Sequence, residues 1–214
     1  MFQQTNDGSQ TLYSEQFNEH YHSIHGAKSE AMHVFIKHGL EQFKDKESIA
    51  IFEMGFGTGL NAYLSLKHKA KHQTVFYHSI DLYPLESEVF EQLQVEPDLD
   101  QNDSFIKDFH HSPWEQRLPL TDSYTLLKSK ADITTINLDL YYDLIYFDAF
   151  SPRHQEECWA EHIFNTLYSH LKPKGILVTY CAKGSLKRLL KQIGFRVETL
   201  TGPPGKREMI RAHK

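Results

Sequence analysis

Three glycines at alternate positions, Gly55, Gly57 and Gly59, follow a short apolar run in the stretch FEMGFGTGLN (52–61), and Glu53 stands two residues before the first of them. Glycines behind a strand let the backbone pass close to a ligand without Cβ clashes. A phosphate is the usual guest of such a turn. Here the spacing is GxGxG rather than GxGxxG, and the Glu53 carboxylate would repel a phosphate. Three further acids, Asp81, Asp132 and Asp148, each close an apolar or β-branched segment. Asp81, one strand-and-helix unit beyond the glycines, is suited to accept hydrogen bonds from ribose hydroxyls, and Asp132 from an adenine amino group. The set suits a nucleoside without phosphates. S-adenosylmethionine carries a sulfonium, an ammonium and a carboxylate instead, so an acid beside the glycines is tolerated. A dinucleotide-dependent oxidoreductase is the rival, disfavoured by the glycine spacing.

The acid at Asp148 opens DAFSP (148–152), which resembles a stretched version of the Asp/Asn-Pro-Pro-aromatic motif with which amino-directed methyltransferases hold a target nitrogen. A primary amine attacks a methyl group only with its lone pair free and in line with the methyl–sulfur bond, so acceptors must orient its protons instead. Asp148 and nearby carbonyls can do this, while Phe150 can stack on a base. The plainer alternative makes Asp148 a turn cap and Phe150 a core residue.

Positioning these residues requires strands that end together. Apolar patterning predicts strands at 49–52, 74–81, 124–130, 142–147, 176–180, 195–200 and 207–212, and helices at 58–69, 84–91, 157–171 and 185–193. Residues 95–123 are polar and hold Pro97, Pro113, Pro119 and Trp114, which predicts an insertion or irregular connection. Strands alternating with helices imply a doubly wound α/β fold with a mostly parallel sheet, and the consecutive final strands imply an antiparallel hairpin at one edge. Ligands of such sheets bind outside the carboxyl ends of the strands.

Composition bounds the rest. The 214 residues fit one domain, with an N-terminal segment of about 1–45 covering the site. The N-terminus lacks a basic start followed by an apolar region, and no apolar run is long enough to span a bilayer, so a cytoplasmic protein without membrane contact is expected. Cys158 and Cys181 form no CxxC pair and read as buried free thiols. His20, His22 and His25 cluster without any metal-ligand spacing; no metal is expected, though the cluster could line a pocket. Net charge is −5, but from Lys183 onward nine Lys or Arg face two Glu, a local +7 that leaves −12 for the remainder. That basic end is either a solvated face or a surface for an anionic partner.

The glycine turn with Glu53 and Asp81 resembles motif one and its partner in class I methyltransferases, which implies a Rossmann-like, mostly parallel seven-stranded sheet. More specifically, EQFNEHYHS (15–23), GAKSEAMHVFI (26–36), FEMGFGTGLN (52–61), SIDLYPL (79–85), DLIYFDAFSP (143–152), Trp159 with its following helix, and GPPGKREM (202–209) resemble the methyltransferase half of the MnmC family. The resemblance implies S-adenosylmethionine-dependent methylation of the aminomethyl group of a tRNA wobble uridine. It would set Glu53, Gly55, Phe56, Gly57, Thr58, Gly59 and Asn61 around the cofactor, Asp81 at its ribose, Asp132 at its adenine and Asp148 beside the transferring methyl. Tyr21 and Glu30 would lie near the methionine end or the substrate amine.

The chain has no room after Lys214 for the flavin oxidase of the bifunctional form, so no flavin is expected, and a separate wobble-uridine-modifying enzyme would supply the amine. Lys183, Lys187, Arg188, Lys191, Lys206 and Arg207 would then meet the phosphates of the anticodon stem-loop. A methyltransferase of a small-molecule or protein amine, or a cofactor- or RNA-binding module without catalysis, are the alternatives.

Overall fold

A computed structural model describes residues 2–92 and 105–214. Strands β1 (Phe2–Gln4), β2 (Gln10–Ser14) and β3 (Glu19–His20) form a small antiparallel sheet. Helix α1 (Ala27–Ala31) continues into a π-helical stretch, Met32–Lys37, and a 3-10 turn, Leu40–Phe43. The main body then runs β4 (Ser48–Met54), α2 (Leu60–His68), β5 (Thr74–Asp81), α3 (Ser87–Phe90), α4 (Phe105–His111), β6 (Arg117–Thr121), β7 (Tyr124–Lys130) and β8 (Tyr142–Phe147). It ends with α5 (Glu161–His170), β9 (Leu171–Thr179), α6 (Gly184–Ile193), β10 (Arg196–Thr201) and β11 (Glu208–His213).

Among the described residues the later strands form one eight-stranded sheet in the order β10-β11-β9-β8-β4-β5-β7-β6. The neighbours from β9 to β7 are parallel, and the two edges are antiparallel. From β4 the chain winds outward through β5 to β7, then crosses back to β8 and β9. The winding therefore reverses between β4 and β8, where open sheets leave a crevice for a ligand.

A strand covered on both faces must be apolar nearly throughout, and every residue of YDLIYF in β8 is buried. Its one acid, Asp143, accepts hydrogen bonds from Lys46 Nζ at 2.6 Å, Lys172 Nζ at 2.8 Å and the Ala50 amide at 2.9 Å. Burial pushes its pKa up, but these donors prevail and hold the carboxyl below its ordinary range. Alternation along β4 sends Ile51 to a core shared with Val34, Phe35, Leu64 and Phe109, and Phe52 to a core shared with Phe164, Leu167 and Leu190. Helices thus cover both faces. Among the described residues, no helix is long and apolar enough to cross a membrane. Cys158 and Cys181 are buried and unpaired.

The sheet has one strand more than the seven expected. The extra strand, β6, and helix α4 lie inside 95–123, where an irregular connection was anticipated; residues 95–104 of that stretch fall outside the described residues. Pro119 obscured β6, yet an edge strand spares one amide from pairing. The helix expected at 84–91 is confined to Ser87–Phe90, and the one expected at 157–171 breaks at Ala160, whose extended backbone separates a 3-10 turn from α5. Strand β9 starts at Leu171 rather than 176, because an irregularity between its pairings to Tyr142 and Leu144 absorbs residues 172–175.

Candidate active site

The carboxyl ends of β4, β5 and β8 are tied together through backbone. Gly55 donates its amide to the Ile80 carbonyl at 3.0 Å, and the Asp148 amide donates to the Met54 carbonyl at 3.0 Å. Gly55 adopts φ +92°, and a Cβ there would stand 2.7 Å from the Asp148 carbonyl oxygen. Gly57, at φ +52°, donates its amide to Asp81 Oδ2 at 3.0 Å. Asp81 Oδ1 accepts from the Tyr83 amide at 2.9 Å. Burial raises the Asp81 pKa against these backbone donors.

Above the strand ends lies a cavity of about 710 Å3. Gly55, Phe56, Gly57, Asn61, Asp81, Asp132 and Asp148 line it from the sheet, and Phe17, Glu19, His20, Tyr21, His22 and Glu30 from the N-terminal segment. Asn61 Nδ2 donates to Asp148 Oδ2 at 2.8 Å. The Asp148 carboxyl is pushed up to about 7, first by burial and then by the nearby Glu30 carboxylate, with Asn61 and Lys206 pulling the other way. Lys206 Nζ donates to Glu30 Oε2 at 2.7 Å and sits 3.8 Å from the centre of the Tyr180 ring. The Tyr180 hydroxyl donates to the Ala149 carbonyl at 2.8 Å.

The DAFSP turn is braced from both sides. Trp159 Nε1 donates to the Phe150 carbonyl at 2.8 Å, and the Ser151 amide donates to Glu19 Oε2 at 2.8 Å. One face of Phe150 stacks on Phe17, with centres 4.5 Å apart and planes at 23°, while Tyr21 meets Phe150 edge-on at 5.2 Å. Burial pushes the Tyr21 hydroxyl up to about 12 and the His22 imidazole down to about 4, so both are neutral at pH 7. His22 Nε2 lies 2.9 Å from Thr58 Oγ1.

Several expected site residues stand elsewhere. Glu53 lies inside β4, and the two-residue alternation of the strand turns it behind the cavity wall, fully buried, where Ser79 Oγ donates to it at 2.6 Å. Burial lifts its carboxyl to about 8. Thr58 is buried against His22, and Gly59 is the N-cap of α2, packed on the Phe56 ring. None of the three lines the cavity. Phe150 has one ring face occupied by Phe17, which leaves less of it for a base than expected.

The basic residues also divide. Lys206 faces the cavity, Lys183 and Arg207 line an adjoining groove, and Lys187 is paired with Glu208 at 2.6 Å. Arg188 and Lys191 are exposed on α6. Sequence reading missed Phe17, Glu19 and Tyr180 as site residues. Phe17 and Glu19 do fall in the block EQFNEHYHS, but nothing local ties them to the distant DAFSP turn. Of the histidine cluster, His20 and His22 line the cavity.

The surroundings fit S-adenosylmethionine. The volume is that of a small-molecule site. Gly55 and Gly57 supply a wall without Cβ atoms, and Asp81 and Asp132 supply carboxylate acceptors on the β5–β7 side, Asp132 Oδ1 being held by the Thr134 amide at 2.8 Å and its hydroxyl at 2.7 Å.

Known proteins bear on the same point. A family model described as S-adenosyl-L-methionine-dependent methyltransferase matches residues 103–214. The tRNA 5-methylaminomethyl-2-thiouridine biosynthesis bifunctional protein MnmC of Cupriavidus metallidurans is 31% identical, with 96% of this chain and 32% of that protein covered. The chain spans about a third of the length of the curated relatives it matches. The crystal structure of MNMC2 from Aquifex aeolicus superposes with a TM-score of 0.81 at 26% identity, covering 99% of this chain and 69% of the other. The ribosomal protein L11 methylase of Lactobacillus delbrueckii subsp. bulgaricus, at TM-score 0.51 and 16% identity over 82% of this chain and 74% of that one, shares the fold. The chain belongs to the S-adenosyl-L-methionine-dependent methyltransferase family.

Proposed function

We propose that this protein methylates the aminomethyl nitrogen of 5-aminomethyluridine or its 2-thio form at the wobble position of tRNA. The observation that carries the proposal is the position of Asp148. Its backbone is locked to Gly55 and Met54, its carboxyl is held by Asn61, and it stands in the cavity between the acceptors Asp81 and Asp132 and the Glu30–Lys206 pair. The printed names of the relatives, which concern 5-methylaminomethyl-2-thiouridine in tRNA, support the choice of acceptor.

When bound, S-adenosylmethionine supplies an electrophilic methyl group on sulfur. Gly55 and Gly57 with Asn61 would hold its methionine side, Asp81 its ribose and Asp132 its adenine. The work left to the chain is to present a nitrogen with its lone pair free. Asp148 accepts one amine proton and the carbonyls of the braced DAFSP turn accept another, so the lone pair is not consumed by the protein. A carboxyl with a pKa near 7 can hold a proton at neutral pH, which makes Asp148 the group able to take the proton that the amine must lose. Tyr21 and Phe150 exclude water over the turn.

The partner is tRNA through its anticodon loop, whose unpaired bases can be splayed into a pocket. Lys183 and Arg207, beside the cavity mouth, and Arg188 and Lys191 on α6 are placed to meet its phosphates. A separate enzyme makes the acceptor amine, and the reaction belongs in the cytoplasm with the tRNA. Mass spectrometry of wobble nucleosides from a strain lacking the protein tests the proposal. Aminomethyl uridine should accumulate and be converted by purified protein with S-adenosylmethionine; a normal nucleoside profile rejects it.

A further inference from the structure

Lys206 occupies an odd position for a lysine counted with a basic surface. Its ammonium is drawn inward, where Glu30 Oε2 accepts from it at 2.7 Å and the Tyr180 ring lies 3.8 Å beneath it. Tyr180 cannot turn away freely, because its hydroxyl is spent on the Ala149 carbonyl at 2.8 Å. Asp148 lines the same cavity, its carboxyl pushed up by Glu30 and down by Lys206. The Glu30 carboxylate and the face of an aromatic ring meet at the Lys206 ammonium, the Asp148 carboxylate lines the same cavity, and together they suit a monovalent cation of ammonium size. Against two acids the chain supplies one cation.

Lys206 also borders two spaces. It lines the main cavity and, with Ser151 and Tyr180, the groove of about 490 Å3 that adjoins it. That groove carries Lys183 and Arg207, while its one acid, Glu208, is committed to Lys187 at 2.6 Å. A lysine side chain on a flexible four-carbon stem can point into either.

We propose that Glu30, Asp148 and the Tyr180 ring form the recognition site for the acceptor's ammonium, that Lys206 fills this site in the resting protein, and that substrate entry exchanges one cation for the other as Lys206 turns to the groove to meet an RNA phosphate. The bound ammonium then gives one proton to the Asp148 carboxylate, which frees the nitrogen lone pair before the methyl is transferred. This rests on the assignment of a primary amine carried by RNA as the acceptor. The exchange keeps Glu30 paired throughout and adds a third cation to the groove at the moment a phosphate arrives there. Lys206 is thus a positioning and specificity residue; it takes no part in methyl transfer.

A place-holder and a structural tie between Glu30 and the C-terminal turn respond differently to its removal. In Lys206→Met, the phosphate-free nucleoside 5-aminomethyluridine no longer competes with an internal cation. Its KM as acceptor, or its inhibition constant against the stem-loop where its own turnover is slow, should fall about three- to tenfold. The KM of an anticodon stem-loop bearing the same base should rise by a similar factor through the lost phosphate contact. Glu30→Gln should raise the KM of the nucleoside with the calorimetric Kd of S-adenosylmethionine unchanged. Lys206→Gln repeats the test if the methionine variant does not fold.

If Lys206→Met moves both KM values in the same direction or neither, the exchange is wrong. If Glu30→Gln weakens the cofactor and not the amine, the ammonium recognised there is the cofactor's, and the proposal fails. Wild-type protein that methylates neither acceptor sinks the functional reading itself; wild-type turnover of both with no opposite shift sinks the exchange alone.

Discussion

Replacing Gly55 with alanine perturbs the site where three strand ends meet. The residue sits at φ +92°, outside the regions that an L side chain adopts readily, and its new Cβ would lie 2.7 Å from the Asp148 carbonyl oxygen. The conformational penalty for a side chain at positive φ is about 1–2 kcal/mol. The contact is with backbone, which cannot rotate away, so the Asp148 peptide must also shift at a cost of about 1–2 kcal/mol. Gly55→Ala should therefore lose about 2–4 kcal/mol in urea denaturation followed by circular dichroism. The shift has a chemical consequence too. The Asp148 amide is bonded to Met54 and its carboxyl to Asn61, so displacing this peptide moves the acceptor of the amine proton. A misplacement of about 1 Å lowers kcat/KM by about 100-fold. Gly184→Ala is the control, since a Cβ there meets only the tip of Arg188 at 3.4 Å, in the first turn of α6. It should be neutral or mildly stabilising. A Gly55→Ala protein within about 0.5 kcal/mol of wild type, with unchanged kcat/KM, would refute the account of how β4 and β8 fix the site.

Asp148→Asn should lower kcat about 100-fold or more while calorimetry finds cofactor affinity within about threefold, and the rise of wild-type rate as pH increases through about 7 should disappear. Glu53 carries the opposite stability signature to a salt-bridged acid. Its folded pKa, about 8 against an ordinary 4.5, means that the native state holds its proton more tightly, so stability is full at low pH and is lost as pH rises through this window. Glu53→Gln should therefore be about 2–4 kcal/mol more stable than wild type at pH 9 in urea titrations and nearly equal to it at pH 4. Lys128 is fully buried, donates to the carbonyls of Phe109 at 3.0 Å and His110 at 2.7 Å, and lies over Phe56 and Trp114. Lys128→Met should cost about 1–3 kcal/mol, measured by the same denaturation, by leaving the His110 carbonyl without this donor and the Phe109 carbonyl with Ser112 Oγ alone. Charge reversal of Lys183 and Arg207 together should weaken stem-loop binding and lower the slope of log affinity against log salt by about 2, with S-adenosylmethionine binding unaffected.

Much of the fold was legible because its signals are local. The apolar run of β8 and the three-to-four spacing of Ile163, Phe164 and Leu167 in α5 each report burial that any buried strand or helix must have. The crevice was legible for the same reason: Gly55, Gly57, Asp81 and Asp148 all sit where strands end. What could not be read depended on direction and on distance. Glu53 and Gly55 are two residues apart, yet the acid is still inside β4 and fully buried while the glycine lies past the strand end and lines the cavity. Strand β6 was hidden because a polar edge strand with a proline has the composition of a loop. Lys206 read as one more charge in a basic run. Only its contact with Glu30, 176 residues earlier in the chain, brings it into the cavity, and no pattern in sequence reports such a pairing.

The central claim is that this cavity transfers a methyl group to an exocyclic amine of a wobble uridine. Purified protein should be mixed with S-adenosylmethionine and an anticodon stem-loop bearing 5-aminomethyluridine, and the digested nucleosides read by tandem mass spectrometry. The account predicts that the mass of one CH2 is gained on the aminomethyl substituent by wild type and is nearly absent with Asp148→Asn. Transfer to the base ring or ribose, undiminished transfer by the variant, or no transfer by the wild type would contradict it.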